Sequence, residues 1–184
     1  ADRGHCRVVD DDPAPGTLVG VDLGLRTGVA VYAPDAGGVV RLRRYSSTHL
    51  GSRATLKRAA PRMLQEAAPI AEVVVEGDRA MGEIWAKAAR RLGATTTEVS
   101  PERWRAVLLW PRDRTPSATA KAAAKDRAVQ VIEWSRAAGG PDVPPAPKGP
   151  LRSDTADAIM IGLWGVVDRG WVAPADLPFP VPGR

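Results

Sequence analysis

Apolar residues fall in short runs divided by glycine and proline, and the spacing inside each run changes along the chain. Thr17-Leu18-Val19-Gly20-Val21-Asp22-Leu23 is almost continuously apolar and predicts a buried strand. Gly24 to Gly28 reads as a tight turn, Val29–Ala33 as a second strand and residues 34–38 as a hairpin turn. Val39–Tyr45 alternates, with Val40 and Leu42 set against Arg41 and Arg43, which predicts a third strand completing an antiparallel meander. A helical stretch over about residues 54–68 follows, and Pro61 should kink or restart it. Ala71–Glu76 is a fourth apolar run, and like the first it carries an acid at its end.

From Arg79 to Leu92 the residues Met81, Ile84, Trp85, Ala88, Ala89 and Leu92 recur at helical spacing, and Gly93 ends the run. Ala94–Val99 reads as a fifth strand, and Ser100-Pro101-Glu102 is a helix start with a cap, a first-turn proline and an acid. Ser117 to about Ala138 is an alanine-rich helix stopped by Gly139-Gly140, and residues 141–150 form a proline-rich connector. Ser153 to Arg169 is the last helix, closed by Gly170. Its Ala156, Ala158, Gly162 and Gly165 would let it lie close against a sheet. The tryptophans 104, 110, 134, 164 and 171 read as packing residues. The order β-β-β-α-β-α-β-α-α-α predicts an α/β fold, a mixed five-stranded sheet flanked by helices. One domain is expected over residues 17–170, between a polar tail at 1–16 and a proline-rich tail at 171–184.

Charge narrows the partners. The 184-residue chain carries a formal +5, with a pI near 9.9, which favours a polyanion: nucleic acid first, an anionic membrane surface second. Cys6 is the single cysteine and His5 and His49 are the two histidines, so a disulfide framework, a cysteine zinc site and a histidine-rich centre are all excluded. One cysteine fits a reducing, intracellular compartment, bacterial cytoplasm and organelle being equally compatible. No apolar run approaches the roughly 18 to 20 residues of a membrane span, and nothing reads as a secretory signal.

Four acids hold the candidate chemistry. Asp22 and Glu76 end predicted strands, and Asp154 and Asp157 stand three apart on one face of the last helix. If the first and fourth strands are neighbours, and that helix face points at them, the four carboxylates meet. Ionised acids at such range need cations, and an oxygen-only set selects Mg²⁺ or Mn²⁺ over zinc. Two such ions about 4 Å apart are the apparatus for in-line attack on a phosphodiester. Each acid also has a plainer reading, as a turn residue (Asp22, Glu76) or a first-turn helix acid (Asp154).

Gly20-Val21-Asp22-Leu23-Gly24, Val74-Val75-Glu76 and Ser153-Asp154-Thr155-Ala156-Asp157-Ala158 together resemble the RuvC-type Holliday-junction resolvases of the ribonuclease H-like superfamily, including the chloroplast-type resolvases. The D-x-x-D-A ending is the most specific piece. The resemblance implies a tetrad Asp22, Glu76, Asp154 and Asp157 holding two Mg²⁺ ions, Mn²⁺ substituting. It implies a lysine near the scissile phosphate, for which Lys125 aligns best and Lys121, one turn earlier, competes. It implies branched DNA as substrate and a homodimer formed largely through helix 79–93. Arg26, Arg79, Arg112, Arg114, Lys121, Lys148 and Arg152 fall on loops or helix ends expected to surround the acids and contact phosphates. Two departures stand out: Leu23 replaces the proline common in bacterial members, and residues 77–81 lack the aromatic wedge that many members use to unstack bases. Arg26-Thr27-Gly28-Val29-Ala30-Val31 also resembles the small RuvC-like nucleases linked to ribosomal RNA maturation. A structured-RNA nuclease and a non-catalytic nucleic-acid-binding module are therefore the competing readings.

Overall fold

The computed structural model describes residues 15–182; Cys6, His5 and most of the expected N-terminal tail lie outside them. Five strands, β1 (Leu18–Asp22), β2 (Arg26–Pro34), β3 (Val40–His49), β4 (Glu72–Glu76) and β5 (Thr95–Glu98), form one sheet in the order β3-β2-β1-β4-β5. β1 pairs antiparallel with β2 and β2 with β3, whereas β1–β4 and β4–β5 are parallel. The helices are α1 (Arg53–Gln65), α2 (Arg79–Arg91), α3 (Pro101–Leu108), α4 (Ser117–Ala137) and α5 (Ser153–Asp168).

Alternation along each strand sorts side chains to two cores. Leu18, Ala30, Tyr32, Leu42 and Val74 face α3, α4 and α5. Val19, Val21, Val29, Val31, Val73 and Val75 face α1 and α2. With both faces covered, β1 and β4 need apolar residues at successive positions, which is why they read as unbroken runs.

Two local rules were overridden. Pro61 sits inside α1 without ending it. An interior proline costs about 3 kcal/mol, and Leu56, Ala60 and Leu64, all buried against the sheet, offset that cost. β3 runs on past Tyr45 to His49, because Ser46, Ser47 and Thr48 pair with Val29, Gly28 and Thr27 on β2. Their polarity hides a strand that backbone pairing creates. At the C-terminus, Val172, Leu177 and Phe179 are buried in the α5-side core, so part of the segment expected as a tail packs on the domain.

Helix α5 lies against β1 and β2 at backbone distance. A Cβ on Gly20 would stand 2.5 Å from the Gly162 nitrogen, and one on Gly28 would stand 1.9 Å from the Asp154 carbonyl oxygen. Gly165 instead makes room for the side chains of Leu18 and Val74. The Tyr32 hydroxyl donates to the Ile159 carbonyl at 2.7 Å and fixes the register of helix on sheet.

Candidate metal centre

The parallel register of β1 and β4 sets Asp22 directly beside Glu76 at the same end of the sheet. On its other side Asp22 is paired with Gly28 of β2, the residue that the first turn of α5 touches. The missing side chain at Gly28 is thus what allows Asp154, and Asp157 one turn on, to reach the strand ends.

Electrostatics show the gathering. Burial pushes Asp22 up to about 8, and the charges of Asp157, Glu76 and Asp154 add to the rise against a smaller pull from Lys121. Glu76 is also raised, chiefly by burial, with an indole hydrogen bond from Trp104 and the charge of Arg105 opposing. Asp157 is raised by burial too, against Arg105, Lys121 and Lys125. A carboxyl group that prefers its proton near neutral pH marks a place where positive charge is wanted.

Glu72 supplies the contrast. It lies on β4 four residues before Glu76, on the same face of the strand, and is buried. Arg169 pairs with it, and Thr97 donates a hydrogen bond to it. One acid of the strand has its counter-charge built in, while at the other end three acids press on a fourth.

Protein donors orient the cluster. The buried Trp104 donates its indole N–H to Glu76 Oε2. Ser47 donates to Asp154 Oδ2, and Arg152 Nε lies 3.3 Å from Asp154 Oδ1. Among the described residues, no group of three His, Cys, Asp or Glu side chains converges to hold a metal ion. Asp157, Glu76 and Asp154 each act on Asp22 through their charge, and Asp154 is held by bonds from Ser47 and Arg152. The donor set nevertheless suits a hard cation: all its ligand atoms are carboxylate oxygens, each bonded oxygen keeps a further lone pair, and the central acid is under strong repulsion.

Sequence reasoning missed three residues here. Trp104 was read as packing, yet a buried indole N–H requires an acceptor, and that requirement was a usable signal. Ser47 lay beyond the predicted end of its strand. Arg105, beside Trp104 on α3, acts on both Glu76 and Asp157, and its buried Nε has no hydrogen-bond partner among the described residues.

The basic residues singled out in the sequence fall at different places. Lys121 and Lys125 share a face of α4, and both act on Asp157, but only Lys121 also figures among the charges acting on Asp22. Arg79, exposed at the start of α2, lines a groove with Glu76, Gly77 and Ser100. Arg26, at the start of β2, Lys148, in the connector, and Arg152, before α5, are exposed, although Arg152 already faces Asp154. Arg112 is exposed beside Asp113 at 3.8 Å. Arg114 instead donates from Nε and Nη2 to the Leu109 and Ala106 carbonyls, closing the end of α3.

Helix α2 turns its apolar stripe inward. Trp85, Ala88 and Ala89 are buried against the sheet, with Met81, Ile84 and Leu92 packed around them. Its outer side carries Lys87, Arg90 and Arg91, all exposed. The apolar pattern that suggested a dimer helix is therefore used within the chain, and an isologous contact along this side would set like charges together. No helix among the described residues is long and apolar enough to cross a membrane.

This architecture is similar to those of solved Holliday junction resolvases. T. thermophilus RuvC, solved in complex with a Holliday junction substrate, matches with a TM-score of 0.53 at 16% identity, over 84% of this chain and 96% of that one. The fowlpox virus Holliday junction resolvase matches with a TM-score of 0.58 at 13% identity, over 83% and 99%. No protein-family model matches the chain, and a search of the curated proteins finds no match. At these identities the likeness establishes the fold, and the chemistry has to be argued from the residues.

Proposed function

We propose that the protein is a divalent-metal-dependent endonuclease that nicks DNA at four-way junctions. The observation that carries this reading is Asp22, a half-buried acid pressed by three others at the shared end of β1 and β4. Asp22, Glu76, Asp154 and Asp157 would hold the ions. Bound there, Mg²⁺ or Mn²⁺ would supply the charge that activates water and neutralises the departing oxygen.

The chain's own residues do the rest. Asp22 gives up its proton to become a ligand. Trp104 and Ser47 fix the orientation of Glu76 and Asp154. Arg105, Lys121 and Lys125 place positive charge where the anionic phosphate would enter. A water oxygen bonds to phosphorus as the P–O3′ bond breaks, leaving a 5′ phosphate and a 3′ hydroxyl. Two symmetric cuts in one junction ask for two centres, which a two-fold homodimer would supply. The Holliday junctions named for both similar structures support branched DNA as the substrate.

Incubation with an end-labelled four-way junction, a linear duplex of the same sequence and a structured RNA tests this reading. Paired nicks in opposed strands of the junction are expected, only with Mg²⁺ or Mn²⁺. Preferential cutting of the RNA would move the substrate to that class. Junction binding with no cutting under any divalent ion would make the protein a binding module.

A further inference from the structure

Helices α1 and α2 enclose an open groove of about 730 Å³ on the side of the sheet away from α5. Arg53, Lys57, Lys87, Arg90 and Arg91 line it, with Glu83 as the one acid. All five cations are exposed, and none makes an ion pair among the described residues. Arg53 bridges the two helices by donating to the Ala80 carbonyl at 3.2 Å.

We propose that this groove is a second nucleic-acid contact, a track for the phosphate backbone of a duplex arm leading away from the acidic centre. The choice of DNA as ligand rests on the nuclease reading; the existence of a polyanion track rests on the groove.

Continuity is the first argument. Arg79, at the start of α2, lines the groove that holds Glu76, and Arg53 also lines the small cleft beside Leu25 and Met81. Basic side chains thus run from the cut site to the far end of α2. Length is the second. Thirteen helical residues extend about 20 Å, which matches roughly six base pairs of duplex.

Charge and polarity exclude the other occupants. A lipid surface would need apolar anchors, and the exposed large apolar side chains among the described residues are Leu25 and Val39, neither of which lines this groove. A second copy would bring five cations against five. Phosphates at regular spacing, read by charge with no base contacts, fit the groove best.

Binding of a labelled linear duplex in EDTA, measured across a series of KCl concentrations, tests the track without requiring cleavage. The variant is Lys87→Gln/Arg91→Gln. The charge-matched control is Arg58→Gln/Arg62→Gln, on exposed positions of α1 outside the groove. Each lost phosphate contact should reduce the slope of log K against log salt by about 0.9, so the groove variant should lose about two units of slope and the control close to none. Equal slopes in the two variants would overturn the track, as would a groove variant that gains self-association while its DNA binding is unchanged. A protein that binds duplex with the expected slopes but cuts nothing keeps the track and loses the nuclease. One that cuts junctions with unaltered slopes keeps the nuclease and loses the track.

Discussion

Exchanging Asp22 for asparagine should cost about a thousandfold in junction nicking while making the metal-free protein more stable at pH 8. The folded pKa of Asp22 is about 8, against 3.8 for the ordinary group. The fold therefore prefers the protonated acid. Below about pH 4 the side chain is neutral in both states and costs nothing. As pH rises from about 4 to 8 the unfolded chain ionises while the fold resists, and stability falls by an amount on the order of 5 kcal/mol. Asparagine carries no charge and escapes that loss. Melts in EDTA at pH 5 and pH 8 should show the variant's lead over the unmodified chain growing from about a few degrees at the lower pH to on the order of 10 °C or more at the higher. Undiminished nicking by the variant, or an equal gain at both pH values, would count against this placement of Asp22.

Adding one methyl group at Gly28 should unseat the α5 half of the centre. The Cβ of Gly28→Ala would lie 1.9 Å from the Asp154 carbonyl oxygen, and that atom belongs to the backbone of α5, which no rotamer change can move aside. The first turn of α5 must lift, carrying Asp154 and Asp157 away from Asp22. Overpacking on this scale costs about 3 kcal/mol or more. Gly149→Ala, where a Cβ meets nothing within 4 Å, is the control and should be close to neutral. Urea unfolding measures the cost, and loss of nicking under conditions where the variant is still folded separates displaced acids from mere instability. A Gly28→Ala protein as stable and as active as the unmodified chain would show that α5 does not sit on β2 this closely.

The acids were legible because each interrupts or ends an apolar run, where an unpaired carboxylate is expensive. The register that joins Asp22 to Glu76 was not in the sequence: it follows from β1 and β4 being parallel neighbours. Small residues on α5 were readable as a close-packing face, but their partners Gly20 and Gly28 looked like an ordinary strand glycine and a turn glycine. Donors that aim the acids were hidden by distance. Trp104 is 28 residues from Glu76, and Ser47 is 107 from Asp154. Between the two lysines, sequence favoured Lys125, whereas in the fold Lys121 acts on the central acid as well as on Asp157. Helical spacing in 79–93 told that one side of α2 is apolar, not whether that side meets a partner or the chain's own sheet.

Titration calorimetry with Mn²⁺ at pH 7, in two buffers of different ionisation enthalpy, tests the central claim most directly. Saturable binding with release of about one proton per centre is predicted, because Asp22 with a pKa near 8 must lose its proton to become a ligand, and Asp22→Asn should lose that release. No saturable Mn²⁺ or Mg²⁺ binding, with or without junction DNA present, would contradict the claim that these four acids form a metal centre.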